Sequence, residues 1–99
     1  MIFDSSMVQK YILSGAKLVS TIRRKGYYRV GKRVIVKVGD KRFYGKVIAI
    51  APLTPFSLGE YASYSGFQSV EEWIAEAERL HKGRIDPNKF EIVIVELLS

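Results

Sequence analysis

The fold is decided by residues 33–50, which read RVIVKVGDKRFYGKVIAI. Residues 33–38 and 41–50 are rich in β-branched and aromatic side chains, which favour strands. Between them stands Gly39-Asp40, and glycine readily adopts the positive φ that a tight two-residue turn requires. This stretch therefore predicts an antiparallel β-hairpin.

A helix and a strand are predicted before the hairpin. Asp4, Ser5 or Ser6 can cap a helix of about two turns, and Gly15 is well placed to end it. Residues 18–23 are rich in β-branched side chains and predict a strand. A basic loop then leads to the hairpin.

A long connection, a helix and a strand are predicted after the hairpin. The connection covers residues 51–68 and includes a capping-box pattern, so we expect a short helical turn over residues 57–64. A second capping box at residues 69–72 opens a longer helix, which Gly83 closes. The apolar residues 90–97 predict a buried strand.

These elements predict an α+β fold. Strands outnumber helices, no helix alternates regularly with strands, and the sequence contains no internal repeat. The economical architecture is a curved or closed, mostly antiparallel sheet with two or three helices packed on it, and a small β-barrel fits best. A chain of 99 residues has room for one core, so we expect a single domain over residues 1–99.

The composition excludes several classes of function. Cysteine is absent and His81 is the single histidine, which excludes disulfides, thiol nucleophiles and cysteine-rich zinc sites. We expect no cofactor and no metal. We also expect a cytoplasmic protein without a membrane partner, because no apolar run of spanning length is present. Few Asn and Gln residues accompany 26% charged residues, a balance that favours a thermophile source.

Positive charge is concentrated in the first half of the chain. Residues 1–50 hold twelve Lys or Arg and two Asp, for a net charge of +10. Residues 51–99 hold four basic and eight acidic residues, for a net charge of −4. A segregated basic surface attracts polyanions, which release their counterions on binding. This distribution favours a phosphate-bearing partner over a merely solubilising surface.

The densest group of cations surrounds two tyrosines in residues 23–33, which read RRKGYYRVGKR. Cations bind phosphates and tyrosine rings stack on bases, a combination typical of sites for single-stranded nucleic acid. A basic loop that faces water would have a similar composition. The residues that we predict to contact the ligand here are Arg23, Arg24, Lys25, Tyr27, Arg29 and Lys32.

The segment before this loop carries a short motif. Gly15 allows a tight turn that delivers Lys17, Thr21 and Arg23 in quick succession. The chain resembles the ASCH family of PUA-like β-barrels, which is marked by Gly-x-Lys followed by a strand that ends in Thr-x-Arg or Glu-x-Arg. Further points of similarity are Val30-Gly31, Gly39-Asp40, Gly66-Phe67 before the helix, and the closing apolar strand.

The resemblance implies a cleft, lined by Lys17, Thr21 and Arg23, that accepts RNA or a nucleotide-like molecule. Some relatives in that family are N4-acetylcytidine amidohydrolases and one is described as a ribonuclease. On that pattern Lys17 is the base or polarising group and Thr21 the nucleophile. Ser65 stands where the family commonly has glutamate, which leaves Glu60 as the nearest candidate acid upstream.

Three hypotheses follow from the sequence. The leading one is an RNA-binding or nucleotide-binding module with a basic cleft, linked to RNA metabolism. The second is a hydrolase of the N4-acetylcytidine amidohydrolase or ribonuclease type that uses Lys17 and Thr21. The third is an interaction domain that binds an acidic protein through the same basic face. The oligomeric state is left open.

Overall fold

The computed structural model describes residues 1–98, which form three α-helices and four strands. In chain order the elements are α1 (Ser6–Leu13), β1 (Leu18–Arg24), β2 (Arg33–Val38), β3 (Lys41–Pro52), α2 (Pro55–Tyr61), a 3₁₀ turn (Ala62–Tyr64), α3 (Val70–His81) and β4 (Phe90–Leu97). The α+β class, the hairpin and the strands on either side of it are confirmed. No helix within residues 1–98 is long and apolar enough to span a bilayer.

The four strands form one antiparallel sheet in the order β1-β4-β3-β2. β1 and β2 are its two edges, so the sheet is open and the predicted closed barrel is wrong. The reason is that residues 1–3 already occupy the outer edge of β2. There the Phe3 N–H donates to the Lys37 carbonyl at 3.1 Å, and the Lys37 N–H donates to the Met1 carbonyl at 2.8 Å. That edge of β2 is therefore not free to receive β1.

α1 packs on one face of the sheet. Val8 and Ile12 of α1 are buried against valines that alternate along the strands, as side chains on one face of a strand must. The valines of this cluster are Val19, Val34, Val36, Val38, Val47, Val93 and Val95.

α2 and α3 pack on the opposite face. Trp73 of α3 and Leu58 of α2 are buried against Ile92 and Ile94 of β4. Burying an apolar side chain of this size contributes about 1.5–3 kcal/mol. The two apolar clusters together fix the helices on both sides of β4, one of the two inner strands.

The helix starts agree with the predicted caps only in part. Ser69 caps α3 as its capping box predicts. Thr54 caps α2, accepting from the Ser57 N–H at 3.2 Å, so this helix begins two residues earlier than predicted. Ser5 precedes α1, but its hydroxyl donates to Glu76 of α3 at 2.9 Å and forms no cap. Ser5 therefore links two helices.

Candidate functional site

A cavity of about 230 Å³ opens at the free edge of β1. We call it the edge cavity. It is bounded by residues 2–5, by residues 20–23 of β1, by Val8 of α1 and by the inner side of α3, with Ser65 and Phe67 completing its wall. Two of the predicted site residues, Thr21 and Arg23, therefore line one cavity.

Arg23 joins the wall of this cavity to the N-terminal segment. Its Nη2 donates to the Ile2 carbonyl at 2.8 Å, its Nε donates to Thr21 Oγ1 at 3.1 Å, and its guanidinium lies 4.9 Å from the centroid of the Phe3 ring. Burial lowers the pKa of Arg23 from its ordinary value, while Tyr28 and Asp4 act to raise it. An arginine pKa is high enough to leave the group cationic at neutral pH. Arg23 thus places a partly desolvated positive charge in the cavity.

The pairing of β1 with β4 leaves backbone groups of β1 free at the cavity. The Leu97 N–H donates to the Lys17 carbonyl at 2.8 Å, and backbone groups of alternate residues in an antiparallel ladder point to the same side. The even-numbered residues of β1 therefore direct their N–H and C=O groups away from β4. Ser20 and Ile22, which line the cavity, offer such groups at its edge.

α3 supplies a carboxylate and an imidazole. Glu76 accepts from Ser5 Oγ and pairs with Arg79. The bond from Arg79, and secondarily that from Ser5, lower the pKa of Glu76, although burial opposes them. His81 also borders the cavity, and its ring meets Phe90 edge-on with centroids 4.7 Å apart.

Lys17 does not line the edge cavity. It is exposed and borders a separate depression of about 260 Å³. α1 separates the two hollows, because its Val8 lines the edge cavity and its Ile12 lines the depression. The structure therefore brings Thr21 and Arg23 together but leaves Lys17 at the other end of α1, and the three residues predicted for one cleft do not share one.

Some cations of the basic loop contact other residues, and others face only the solvent. Lys32 Nζ donates to the Tyr27 carbonyl at 3.1 Å and lies 5.6 Å from the centroid of the Tyr28 ring. The guanidinium of Arg24 lies 5.2 Å from the centroid of the Phe90 ring. The residues of this segment that stay exposed include Lys25, Tyr27 and Arg29.

The acid expected from the family pattern does not reach the cavity. Glu60 is exposed on α2 and is not part of the lining. Ser65 is fully buried, where its hydroxyl donates to the Ala62 carbonyl at 2.6 Å and accepts from the Phe67 N–H at 3.1 Å. Ser65 therefore shapes the connection after α2, and Glu76 supplies the carboxylate of the cavity. Within residues 1–98 no cluster of three His, Asp or Glu residues could hold a metal ion.

A viral protein is similar to this chain over nearly its whole length. It is "Uncharacterized protein 105" of Sulfolobus islandicus rod-shaped virus 1, which is 57% identical over 95 residues, covering 96% of this chain and 90% of the relative. The chain belongs to the family of this viral protein. No family model matches the chain, and no solved structure does.

In this member of the protein 105 family, sequence reasoning missed the residues that α3 and the N-terminal segment bring to the cavity. One signal was available. Trp73, Ala77 and Leu80 form the apolar stripe of α3, and Glu76 falls within that stripe at the i+3 position from Trp73. A carboxylate on the inner side of a helix needs partners, and Ser5 is one of them. No local pattern indicated that Ser5 would be the partner.

Proposed function

We propose that the protein is a nucleotide-binding module that takes a free nucleotide, or one unpaired nucleotide of an RNA, into the edge cavity. The observation that carries the proposal is the position of the Arg23 guanidinium. A guanidinium has five N–H groups, and within residues 1–98 the hydrogen bonds of Arg23 go to Ile2 and Thr21 alone. The remaining N–H groups are available to a phosphate or to a base carbonyl, both of which arginine binds well.

The walls of the cavity suit a nucleobase. Phe3, Phe67 and Trp73 contribute apolar surface, on which a base can pack. The free backbone N–H and C=O groups of Ile22 form a donor and an acceptor side by side, which matches the edge of a base. A volume of about 230 Å³ lies below the usual range for pockets that enclose drug-sized ligands, so the cavity takes the base or the phosphate of one nucleotide and the rest of that nucleotide stays at its mouth.

Cations around the N-terminal segment add to the positive charge of Arg23, whereas Asp4 and Glu76 of the cavity wall oppose it. Burial lowers the pKa of the Met1 amino group, and the charges of Arg23, Lys37 and Lys32 lower it further, in that order. These cations therefore act on the same region, next to residues 2–5 of the cavity wall. Such a field attracts phosphates and weakens as salt is added.

The sequence resemblance of the Gly-x-Lys and Thr-x-Arg motifs to ASCH domains favours the same proposal, while the open sheet departs from their barrel. On that resemblance we propose a role in RNA metabolism. The hydrolase alternative receives no comparable support, since Lys17 lies outside the cavity and Thr21 Oγ1 already accepts from Arg23. The acidic-protein alternative has no particular surface that favours it over nucleic acid. We therefore propose a binding function.

The test is to titrate the protein with each of the four ribonucleoside 5′-monophosphates and with inorganic phosphate, by calorimetry and by NMR. Ala77→Leu fills the cavity without changing the charge, because Ala77 lines it. Ala75→Leu is the matched control, because Ala75 is exposed on the same helix and lies outside the lining. We expect at least one nucleotide to bind, and Ala77→Leu to weaken this binding about tenfold or more while Ala75→Leu leaves it unchanged.

The proposal fails if none of the nucleotides binds at millimolar concentration. It also fails if inorganic phosphate binds as well as the nucleotides do, because the base would then contribute nothing. Equal affinities of the two alanine variants would place the ligand outside the edge cavity.

A further inference from the structure

The outer face of the β2–β3 hairpin is uncovered and carries an ordered arrangement of side chains. The strand register places Arg33 opposite Lys46, Ile35 opposite Tyr44, and Lys37 opposite Arg42. We call these six residues the hairpin surface. All six are exposed, and Tyr44 is 65% exposed although it is aromatic. None of them lines the edge cavity.

Two of the three opposed pairs consist of two cations. Side chains directly opposite each other in an antiparallel pair have Cβ atoms about 5 Å apart, and like charges at that distance destabilise the sheet. Within residues 1–98 the only ion pair joins Glu76 and Arg79, so these four cations have no carboxylate partner there. The exposed Glu96 stands opposite Lys46 in β4 without forming an ion pair with it.

The helices stop short of this surface. Ile92 and Ile94 of β4 are buried under α2 and α3. Glu96 lies on the same face of β4, but it is exposed to solvent. Beyond Glu96 the face extends across β3 and β2 through the hairpin surface. The result is a sheet platform that is solvent-facing, cationic at both ends and aromatic in the middle.

We propose that the hairpin surface binds single-stranded nucleic acid, with a base stacked on Tyr44 and phosphates held by the cation pairs on either side. Strands rise about 3.3 Å per residue, so each cation pair lies about 7 Å from the central Ile35–Tyr44 pair along the strands. A polyanion neutralises both repulsive pairs, and a base covers the exposed ring. An acidic peptide or an anionic membrane would also neutralise the cations, but neither has bases that stack on the exposed Tyr44 ring.

This inference extends the proposed function to a second surface and does not depend on the edge cavity being occupied. RNA and DNA single strands share the chemistry that the hairpin surface offers. The experiment therefore includes both.

The test measures fluorescence anisotropy of labelled ten-nucleotide RNA and DNA single strands at several salt concentrations. The first variant, Lys37→Gln/Arg42→Gln, removes one cation pair, and its control is Lys10→Gln/Arg84→Gln, which removes two exposed cations elsewhere. We expect the first variant to weaken binding about tenfold and to reduce the slope of log K against log salt by about 1.4, since each contact with a single strand contributes about 0.7. The control should bind like the parent protein.

The second variant, Tyr44→Ala, removes the stacking ring and should weaken binding about fivefold to a hundredfold, whereas Tyr44→Phe keeps the ring and should retain the affinity. Both hairpin variants replace exposed side chains, and the first also removes a repulsion between like charges, so we expect neither to unfold the protein. The melting temperature of each variant checks this. The edge-cavity variant Ala77→Leu leaves the hairpin surface intact, so adding Lys37→Gln/Arg42→Gln or Tyr44→Ala to it should weaken oligonucleotide binding by the same factor as in the parent protein.

Three results would overturn the inference. The first is the absence of oligonucleotide binding at low salt, and the second is binding that survives both hairpin variants unchanged. The third is binding of anionic lipid vesicles or of an acidic peptide through the hairpin surface without binding of either oligonucleotide. Failure of mononucleotides to bind, with oligonucleotides still binding through the hairpin, would refute the proposal for the edge cavity alone.

Discussion

Replacing Arg23 by methionine tests whether one side chain holds the two edges of the sheet together. Residues 1–3 pair with β2, and Arg23 of β1 reaches them through its bond to the Ile2 carbonyl and its contact with the Phe3 ring. Arg23→Met keeps an apolar stem of similar length but removes both interactions with the N-terminal segment, and also the hydrogen bond from Nε to Thr21 Oγ1 within β1. We expect the N-terminal segment to separate from β1 and the edge cavity to lose its wall.

The magnitude follows from the two interactions. A hydrogen bond from a charged donor is worth about 1.5 kcal/mol at the low end, which suits a contact that is open to water. A cation–π contact of moderate exposure adds about 0.5 kcal/mol, which makes the expected loss of stability about 2 kcal/mol. For a domain of this size that corresponds to a fall in melting temperature of roughly 8–16 °C.

The assay is chemical and thermal unfolding, together with hydrogen exchange of the Phe3 and Lys37 amides, which form the ladder between residues 1–3 and β2. Arg24→Met is the matched control, because it removes the same charge from the neighbouring residue, whose guanidinium lies 5.2 Å from the centroid of the Phe90 ring. We expect the control to lose less than about 1 kcal/mol and to keep slow exchange at both amides. Equal losses in the two variants would show that net charge, and not the bridge between the edges, explains the effect.

Two further predictions concern stability. At Gly45, an added Cβ would lie 2.8 Å from Val95 Cγ1, so Gly45→Ala should lower the free energy of unfolding by about 1–3 kcal/mol. At Gly59 in α2, an added Cβ meets no atom within 4 Å, so Gly59→Ala should raise it by up to about 1 kcal/mol. Equal urea midpoints for the two variants would contradict this prediction. The Tyr11 hydroxyl donates to the Leu18 carbonyl at 2.7 Å, and burial raises the pKa of Tyr11 above its ordinary value of 10.0. Its contribution is therefore complete below pH 10.0 and is lost as the pH rises through the raised pKa. At pH 8, Tyr11→Phe should be about 1 kcal/mol less stable than the parent protein. Urea unfolding between pH 8 and 11 should show that the parent protein loses this stability as the pH rises, whereas the variant does not.

Local signals predicted the elements of this fold well. The Gly39-Asp40 turn, the alternating valines of β2 and the capping box at Ser69 each depend on neighbours within a few residues, and the structure contains the hairpin and the helix that they predict. The start of α2 was misplaced because Thr54 and Ser57 are both competent caps. Pro55 in the first turn of α2 is a local signal that favours Thr54, and the prediction did not use it.

The candidate site was harder to predict than the elements. Thr21 and Arg23 share one strand face, and their common position follows from a two-residue spacing. Lys17 lies on the same side of the strand by that spacing, but α1 covers the sheet between them and separates the hollows. Glu76 and Ser5 are 71 positions apart and meet only because the N-terminal segment and α3 both border the edge cavity.

The sequence alone determined the α+β class, the hairpin, the apolar stripe of α3 and the concentration of positive charge in the first half, because each depends on composition or on short-range periodicity. Only the tertiary structure decided that the sheet is open, that residues 1–3 occupy the edge where a barrel would close, and that Arg23 bridges to them. Those outcomes depend on pairing between segments that are distant in the chain, and such pairing leaves no trace in local sequence patterns.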